Sequence, residues 1–92
     1  MRASMPLSKE QRHEERRKTL LVWLLNNGSN YGYDIHKGCK MRLWHMYPLL
    51  TELEAGDLVT RTEDMSVKRP PRIIYGLTER GRAEALRLRR QS

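Results

Sequence analysis

Apolar side chains recur at helical spacing early in the chain and form a single stripe of Leu20, Leu21 and Leu24, with Trp23 beside it. Ser8 followed by Gln11 is typical of a capping box, because the hydroxyl and the amide each satisfy a free backbone N–H. The pattern predicts a helix over residues 9–26 that ends near Gly28, since glycine tolerates the cap conformation. The first half of this helix is polar on every side, so it either projects into solvent or meets a partner.

Two shorter helices are predicted next. One covers residues 31–37 and is stopped by Gly38, and its bulk comes from Tyr31, Tyr33 and Ile35. The other covers residues 43–55 with Gly56 as its C-cap. We expect Pro48 within its first two turns, where a missing N–H does least harm. Its apolar face is expected to consist of Tyr47, Leu50 and Leu53, widened by Leu49.

The spacing of apolar residues then changes from a helical repeat to an alternation of every two residues. Residues 58–62 are predicted to be a strand and residues 72–77 its partner, with a hairpin loop over residues 63–71. Two adjacent prolines in this loop forbid continued pairing. Thr78 is a suitable cap for a last helix that reaches about Arg90.

The order helix, helix, helix, strand, strand, helix predicts a mainly α protein with a small β-hairpin, a winged helix-turn-helix. Residues 8–92 are expected to form one such domain after a disordered N-terminus over residues 1–7, because 92 residues suffice for a single modest core. No apolar run approaches the roughly 20 residues that span a bilayer. One cysteine, Cys39, excludes an internal disulfide and is typical of a reducing compartment. We therefore expect a cytoplasmic protein without a membrane segment.

The net charge of +7 is unevenly distributed. Residues 68–92 contain eight Lys or Arg and two acids, whereas residues 1–67 contain ten and nine. A segregated basic surface is typical of nucleic-acid-binding proteins. A basic tail can also serve only as a solubilising end, and that alternative stays open.

Four short motifs follow one another within residues 18–90. They are Tyr31-Gly32-Tyr33-Asp34-Ile35, Tyr47-Pro48, Leu53-Glu54-Ala55-Gly56-Asp57-Leu58 and Tyr75-Gly76-Leu77-Thr78-Glu79-Arg80-Gly81. In this order and spacing the chain resembles the PadR-like transcriptional regulators. The resemblance implies a DNA-binding module, with repression by promoter occlusion as the default. Family members commonly continue into a C-terminal dimerisation segment, which we expect this chain to lack.

In a helix-turn-helix, the N-terminal turns of the recognition helix enter the major groove of DNA. The helix over residues 43–55 occupies the position of the recognition helix in the predicted order of elements. The side chains expected near base edges or flanking phosphates are Arg42, Trp44, His45 and Tyr47, with Thr51 a turn deeper. Arg42 is suited to guanine, and Trp44 to a thymine methyl group or a sugar. Tyr47 fits core packing equally well, whereas Trp44 is expected to be exposed.

The hairpin is expected to contact the DNA backbone or the minor groove through Lys68, Arg69 and Arg72, with Lys37 and Lys40 adding to it from the turn before the recognition helix. A homodimer is expected, because a small DNA-binding protein usually gains affinity by binding two half-sites. The first and last helices are the candidate interfaces. No effector pocket is evident.

Other functions fit the sequence less well. His36 and Cys39 have HxxC spacing, but a structural zinc site needs four ligands in tight pairs. The chain has no glycine-rich phosphate loop, and Cys39 has no identifiable base, so we expect no enzyme, metal or cofactor. The serious alternative is a winged-helix adaptor that binds protein instead of DNA. A third, RNA or single-stranded DNA binding, lacks a stacking row of aromatic residues on strands.

Overall fold

The computed structural model describes residues 7–66 and 72–91, and this part of the chain forms four helices and a three-stranded sheet. The elements are α1 (Lys9–Asn27), β1 (Asn30–Tyr31), α2 (Gly32–Cys39), α3 (Leu43–Ala55), β2 (Val59–Asp64), β3 (Arg72–Leu77) and α4 (Glu79–Arg90). The sheet is antiparallel, in the order β1-β3-β2. The predicted winged helix-turn-helix is therefore confirmed.

The helix ends follow the sequence signals closely. Gln11 donates its backbone N–H to the Ser8 hydroxyl at 3.1 Å, and the Ser8 N–H donates to the Gln11 side chain at 2.8 Å, which completes the capping box. Gly28 ends α1 with a φ of 81°. Pro48 lies in the second turn of α3, as expected.

The first strand was not predicted, and the expected start of the second helix at Tyr31 is wrong. Asn30 pairs with Tyr75 and Tyr31 with Ile74, so the sheet has a third strand. Two residues are too few to show a period of two, and their partners lie more than forty positions away in the sequence. Only the folded chain reveals this pairing.

The expected stop of α2 at Gly38 is also wrong. The helix continues to Cys39, and Lys40 ends it in the left-handed conformation with φ 55° and ψ 38°. Gly38 instead lies under the indole of Trp23, where a Cβ atom would overlap the ring. This glycine is required by close packing of α2 against α1.

The ribbon is longer than the period of two indicated. Residues 63 and 64 were expected in the loop, yet Glu63 pairs with Ile73 and Asp64 with Arg72. These positions on β2 are polar and largely exposed, so they carry no hydrophobic alternation that would mark a strand. Residues 67–71, the centre of the expected loop, lie outside the described residues, as do residues 1–6 of the expected disordered N-terminus.

The core is formed by side chains from all four helices and two strands. They are Leu20, Leu21, Leu24, Ile35, Met41, Met46, Leu49, Leu50, Leu53, Val59, Tyr75, Ala85 and Leu88. Tyr33, which was expected to give bulk to α2, is 63% exposed, and Tyr47, for which core packing and a DNA contact were both open, is 44% exposed. Met46 takes the place in α3 that the pattern had given to Tyr47. An even spread of apolar residues around α3 left the buried face ambiguous in the sequence.

The turn after α3 is joined to the start of α4 by the backbone. The Thr78 N–H donates to the Leu58 carbonyl at 3.1 Å, and its hydroxyl donates to the Asp57 carbonyl at 2.6 Å. The same hydroxyl accepts the Gly81 N–H at 2.9 Å and so caps α4. Gly81 is buried directly against the carbonyl of Leu58. Asp57 adopts a φ of 62° in this turn. The ribbon is thereby held at a fixed angle to the helices.

Helices α1 and α4 are joined by an ion cluster around Glu84. Arg87 donates two hydrogen bonds to its carboxylate, at 2.9 and 2.7 Å, and Arg17 of α1 donates a third at 3.0 Å. The hydrogen bonds from Arg87, followed by the one from Arg17, lower the pKa of Glu84 to about 2 against the opposing effect of burial. The charged carboxylate therefore stabilises the fold.

Replacing Glu84 with glutamine is expected to lower the free energy of unfolding by about 1.5–3 kcal/mol at neutral pH, because hydrogen bonds to a charged group are lost. A pKa lowered in the folded state gives stability that is present above the unfolded value and is lost as pH falls towards about 2. Urea unfolding at several pH values measures this effect. The difference between wild type and variant should vanish in acid. An equal replacement at Glu15, which makes no ion pair within the described residues, should have little effect.

Candidate nucleic-acid interface

The start of α3 exposes large apolar and aromatic side chains to solvent. Leu43 is 41% exposed, Trp44 65% and Tyr47 44%, and Thr51 lies exposed one turn beyond Tyr47. The Thr51 hydroxyl donates to the Tyr47 carbonyl at 3.0 Å. The opposite side of α3 faces the core, so the helix is fixed with this side outward. The expected exposure of Trp44 is confirmed, and Tyr47 joins it on the surface.

Two cations before and beside α3 lie over aromatic rings. The Arg42 guanidinium is 5.0 Å from the ring centre of Trp44, and the Lys37 ammonium is 5.5 Å from that of Tyr33. Such contacts are worth about 0.5–1 kcal/mol at exposed sites, and they restrict the orientation of a long side chain. Lys40 is exposed in the turn between α2 and α3. Arg42 and Trp44 therefore form one ordered pair at the start of the helix.

His45 points to the side of α3 rather than along its exposed face. It is partly buried, and its Nε2 atom accepts a hydrogen bond of 3.4 Å from Arg16 of α1. Burial, followed by the charges of Arg16 and Arg42, lowers the pKa of His45. The ring is accordingly neutral near pH 7 and borders a basic surface.

The loop end of the ribbon is organised by residues from three strands at once. The Tyr31 hydroxyl donates to Asp64 at 2.6 Å, and Ser66 donates to the same carboxylate through its hydroxyl and its N–H at 2.6 and 3.0 Å. The Ser66 and Tyr31 hydroxyls lower the pKa of Asp64. The Arg72 guanidinium lies 4.7 Å from the Tyr31 ring centre. Arg72 is thus exposed but oriented, whereas Lys68 and Arg69 lie outside the described residues.

A cleft of about 330 Å³ connects the loop end of the ribbon with the exposed side of α3. It is lined by Tyr31, Gly32, Tyr33, Asp34, Tyr47, Arg72, Ile73 and Tyr75. A Cβ atom at Gly32 would come within 3.0 Å of the Tyr47 hydroxyl, so the glycine lets this ring lie against α2. The start of α2, the start of α3 and the loop end of the ribbon form one surface, which we call the aromatic–basic face.

The sequence did not reveal three residues that shape this region. Tyr31 and Asp64 are 33 positions apart and meet only because β1 and β2 flank β3. Arg16 belongs to a polar helix segment in which no residue is distinguished from its neighbours by spacing. The roles of these three residues depend on tertiary contacts, which cannot be inferred from the spacing of residues in the sequence.

The described residues contain no features of a catalytic or metal centre. Burial raises the pKa of the Cys39 thiol to about 11, so it is protonated and a poor nucleophile. Within residues 7–66 and 72–91 no group of three or more His, Cys, Asp or Glu side chains is placed to hold a metal. In the same ranges no helix is long and apolar enough to cross a membrane.

The family model described as the transcriptional regulator PadR-like family matches residues 20–87. The chain belongs to this family. Its PadR-like membership confirms a DNA-binding regulator of transcription and excludes an enzyme, as the sequence predicted. None of the curated proteins compared with it matches the sequence.

Solved structures agree with the PadR-like assignment. A PadR-like transcription factor from Bacteroides fragilis is 28% identical with a TM-score of 0.74, over 90% of this chain and 85% of that one. A Streptococcus mutans protein is 22% identical with a TM-score of 0.74, over 97% and 82% of the two chains. A transcriptional regulator homologue from Pyrococcus horikoshii is 22% identical with a TM-score of 0.69, over 80% and 72%. The last two resemble this chain in fold.

Proposed function

We propose that this PadR-like protein is a sequence-specific repressor that binds duplex DNA with α3 in the major groove. The observation that carries the proposal is the Arg42–Trp44 pair, which is exposed and ordered at the N-terminal end of the helix in the recognition position. A major groove about 12 Å wide admits one helix, and the first turns of that helix reach the base edges.

Each exposed side chain of α3 has a chemical role in this proposal. Arg42 is suited to bidentate hydrogen bonding with guanine, and Trp44 offers an apolar surface to a thymine methyl group. Tyr47 and Thr51 follow at one-turn intervals on the same exposed side and reach the next base pairs or their phosphates. His45 is directed to the flank and is assigned to the backbone.

The remaining basic residues are assigned to phosphate contacts. Arg72 is held over Tyr31 at the loop end of the ribbon, and Lys37 and Lys40 border the start of α3. Lys68 and Arg69 belong to the connection between β2 and β3 and are assigned to the wing contact by sequence. Phosphate contacts fix the position of the protein on the duplex but do not read its sequence. They make the affinity dependent on salt.

The proposal includes a homodimer in the cytoplasm that represses by covering a promoter. Dimers of helix-turn-helix proteins bind half-sites about 34–36 Å apart, and the two-fold symmetry of the protein appears in the operator. Helices α1 and α4 are the candidate interfaces. A small-molecule effector is not assigned.

Selection of bound sequences from random duplexes, followed by gel retardation of the selected duplex at several salt concentrations, tests the proposal. We expect one enriched motif with two inverted half-sites and an affinity that falls steeply with salt. A single half-site would contradict the dimer. Retardation of no duplex at low salt would contradict DNA binding and favour the protein–protein adaptor.

A further inference from the structure

A second basic cluster lies on the flank of α3 and adjoins the aromatic–basic face at Arg42. It occupies a cleft of about 260 Å³ between α1 and the turn that joins α2 to α3. The polar or charged side chains that line this cleft are Glu15, Arg16, Thr19, Lys40, Arg42 and His45. We propose that the cleft binds a phosphate group of the duplex backbone beside the recognition helix, through Arg16 and Lys40, with Arg42 and His45 at its edge. This inference rests on the proposed function and assigns a further helix, α1, to the DNA contact.

The charges of the cluster are not balanced by ion pairs within the part of the chain that the structure describes. Arg16, Lys40 and Arg42 are at least 4 Å from every carboxylate in residues 7–66 and 72–91, although Glu15 lies on the rim. By contrast, the next arginine along α1, Arg17, is paired with Glu84. Three like charges around one cleft repel one another in the folded protein, and a bound anion relieves that repulsion. The arrangement therefore favours an anionic ligand.

Several side chains in the cluster are held in place before any ligand arrives. Arg16 is partly buried and donates to His45 at 3.4 Å, and Arg42 is stacked on Trp44. Oriented guanidinium groups match the geometry of phosphate oxygens, so little side-chain entropy is lost on binding. The neighbouring start of α3 has no capping side chain and no acid in its first turn, and its dipole adds to the positive potential.

The position of the cluster favours a phosphate of DNA over an unattached anion. Arg42 borders both the cleft and Trp44, which is on the exposed side of α3. A recognition helix that lies in the major groove has a phosphate backbone on each side of it. The ribbon is assigned to one strand, and the cleft with Arg16 faces the other flank.

The test compares Arg16→Gln with Arg12→Gln, which removes the same charge from the same helix about one turn earlier. The Arg12 side chain is exposed and donates only to the Leu7 carbonyl among the described residues. Duplex affinity is measured at several salt concentrations with each variant. Loss of one phosphate contact per protomer should lower the salt slope by about 0.9 for each protomer bound and the affinity in low salt by about tenfold or more, for Arg16→Gln alone. Equal behaviour of the two variants would overturn the assignment to DNA.

A second measurement decides the anion site without DNA. The NMR signals of the His45 ring are followed with pH in the presence and absence of inorganic phosphate. We expect phosphate to raise the pKa of His45 in the wild type and in Arg12→Gln, but not in Arg16→Gln. An unchanged His45 titration in the wild type would overturn the site itself. If phosphate is bound but no duplex is retarded, the proposed function fails while the anion site stands.

Discussion

Replacing Lys37, Lys40 and Arg42 together with glutamine is expected to reduce duplex affinity by roughly a hundredfold or more in low salt. These residues surround the start of α3 and carry three of the charges assigned to the DNA contact. Each lost phosphate contact lowers the salt slope by about 0.9, so loss of the two contacts assigned to Lys37 and Lys40 lowers it by about 1.8 for each protomer bound. All three side chains are exposed, so the fold should tolerate the change, and removal of like charges reduces repulsion in the folded state.

A matched variant separates this local effect from the loss of net charge. Glutamine at Lys9, Arg12 and Arg82 removes the same three charges from exposed positions on α1 and α4. We expect this variant to bind the selected duplex within a few-fold of the wild type. Gel retardation at several salt concentrations compares the two, and thermal unfolding verifies that both are folded. Equal losses in both variants would show that the aromatic–basic face is not the DNA-binding surface.

Gly81→Ala is expected to be strongly destabilising. A Cβ atom at this position overlaps the backbone carbonyl of Leu58, and no side-chain rotation relieves that overlap. The same carbonyl accepts the N–H of Thr78, so moving it breaks the junction between the ribbon and α4. The cost should reach or exceed the upper end of the about 1–3 kcal/mol typical of overpacking. A loss of that size lowers the Tm of a domain this small by roughly 12 °C or more.

Gly56→Ala is the matched control, because it replaces glycine with alanine only two residues before Leu58. Gly56 has a negative φ, and a Cβ atom there would meet only ordinary contacts at 3.5 and 3.8 Å. We expect its stability to change by less than about 1 kcal/mol, and alanine stiffens the unfolded chain. Thermal and urea unfolding of both variants measure the difference. Similar stabilities for the two would disprove the close approach at Gly81.

The helices were predictable where side-chain chemistry acts locally. Ser8 and Gln11 form their capping box within one turn, and Thr78 caps α4 through the N–H of Gly81, three positions later. The predicted bounds of α3 agree with the structure at both ends. Capping and amphipathic patterns depend on neighbours within a few residues, so they can be identified without the fold.

The recognition surface was predictable in part. The order of the elements identified α3 as the recognition helix, and Trp44 is exposed as expected. The buried face of α3 was not predictable, because Met46 and Tyr47 are both apolar enough to occupy the core. Their places depend on which side of α3 meets α1 and β2, and only packing decides that.

The sequence by itself determined the number and order of the four helices, the ribbon, and membership of the PadR-like family through four short motifs. The tertiary structure alone decided the pairing of β1 with β3, the contact of Gly81 with the Leu58 carbonyl and the position of Arg16 beside His45. The physical reason is the distance along the sequence over which each interaction acts. Capping and periodicity act over a few residues, whereas pairing, close approach and the grouping of charges depend on residues that meet only after the chain has folded.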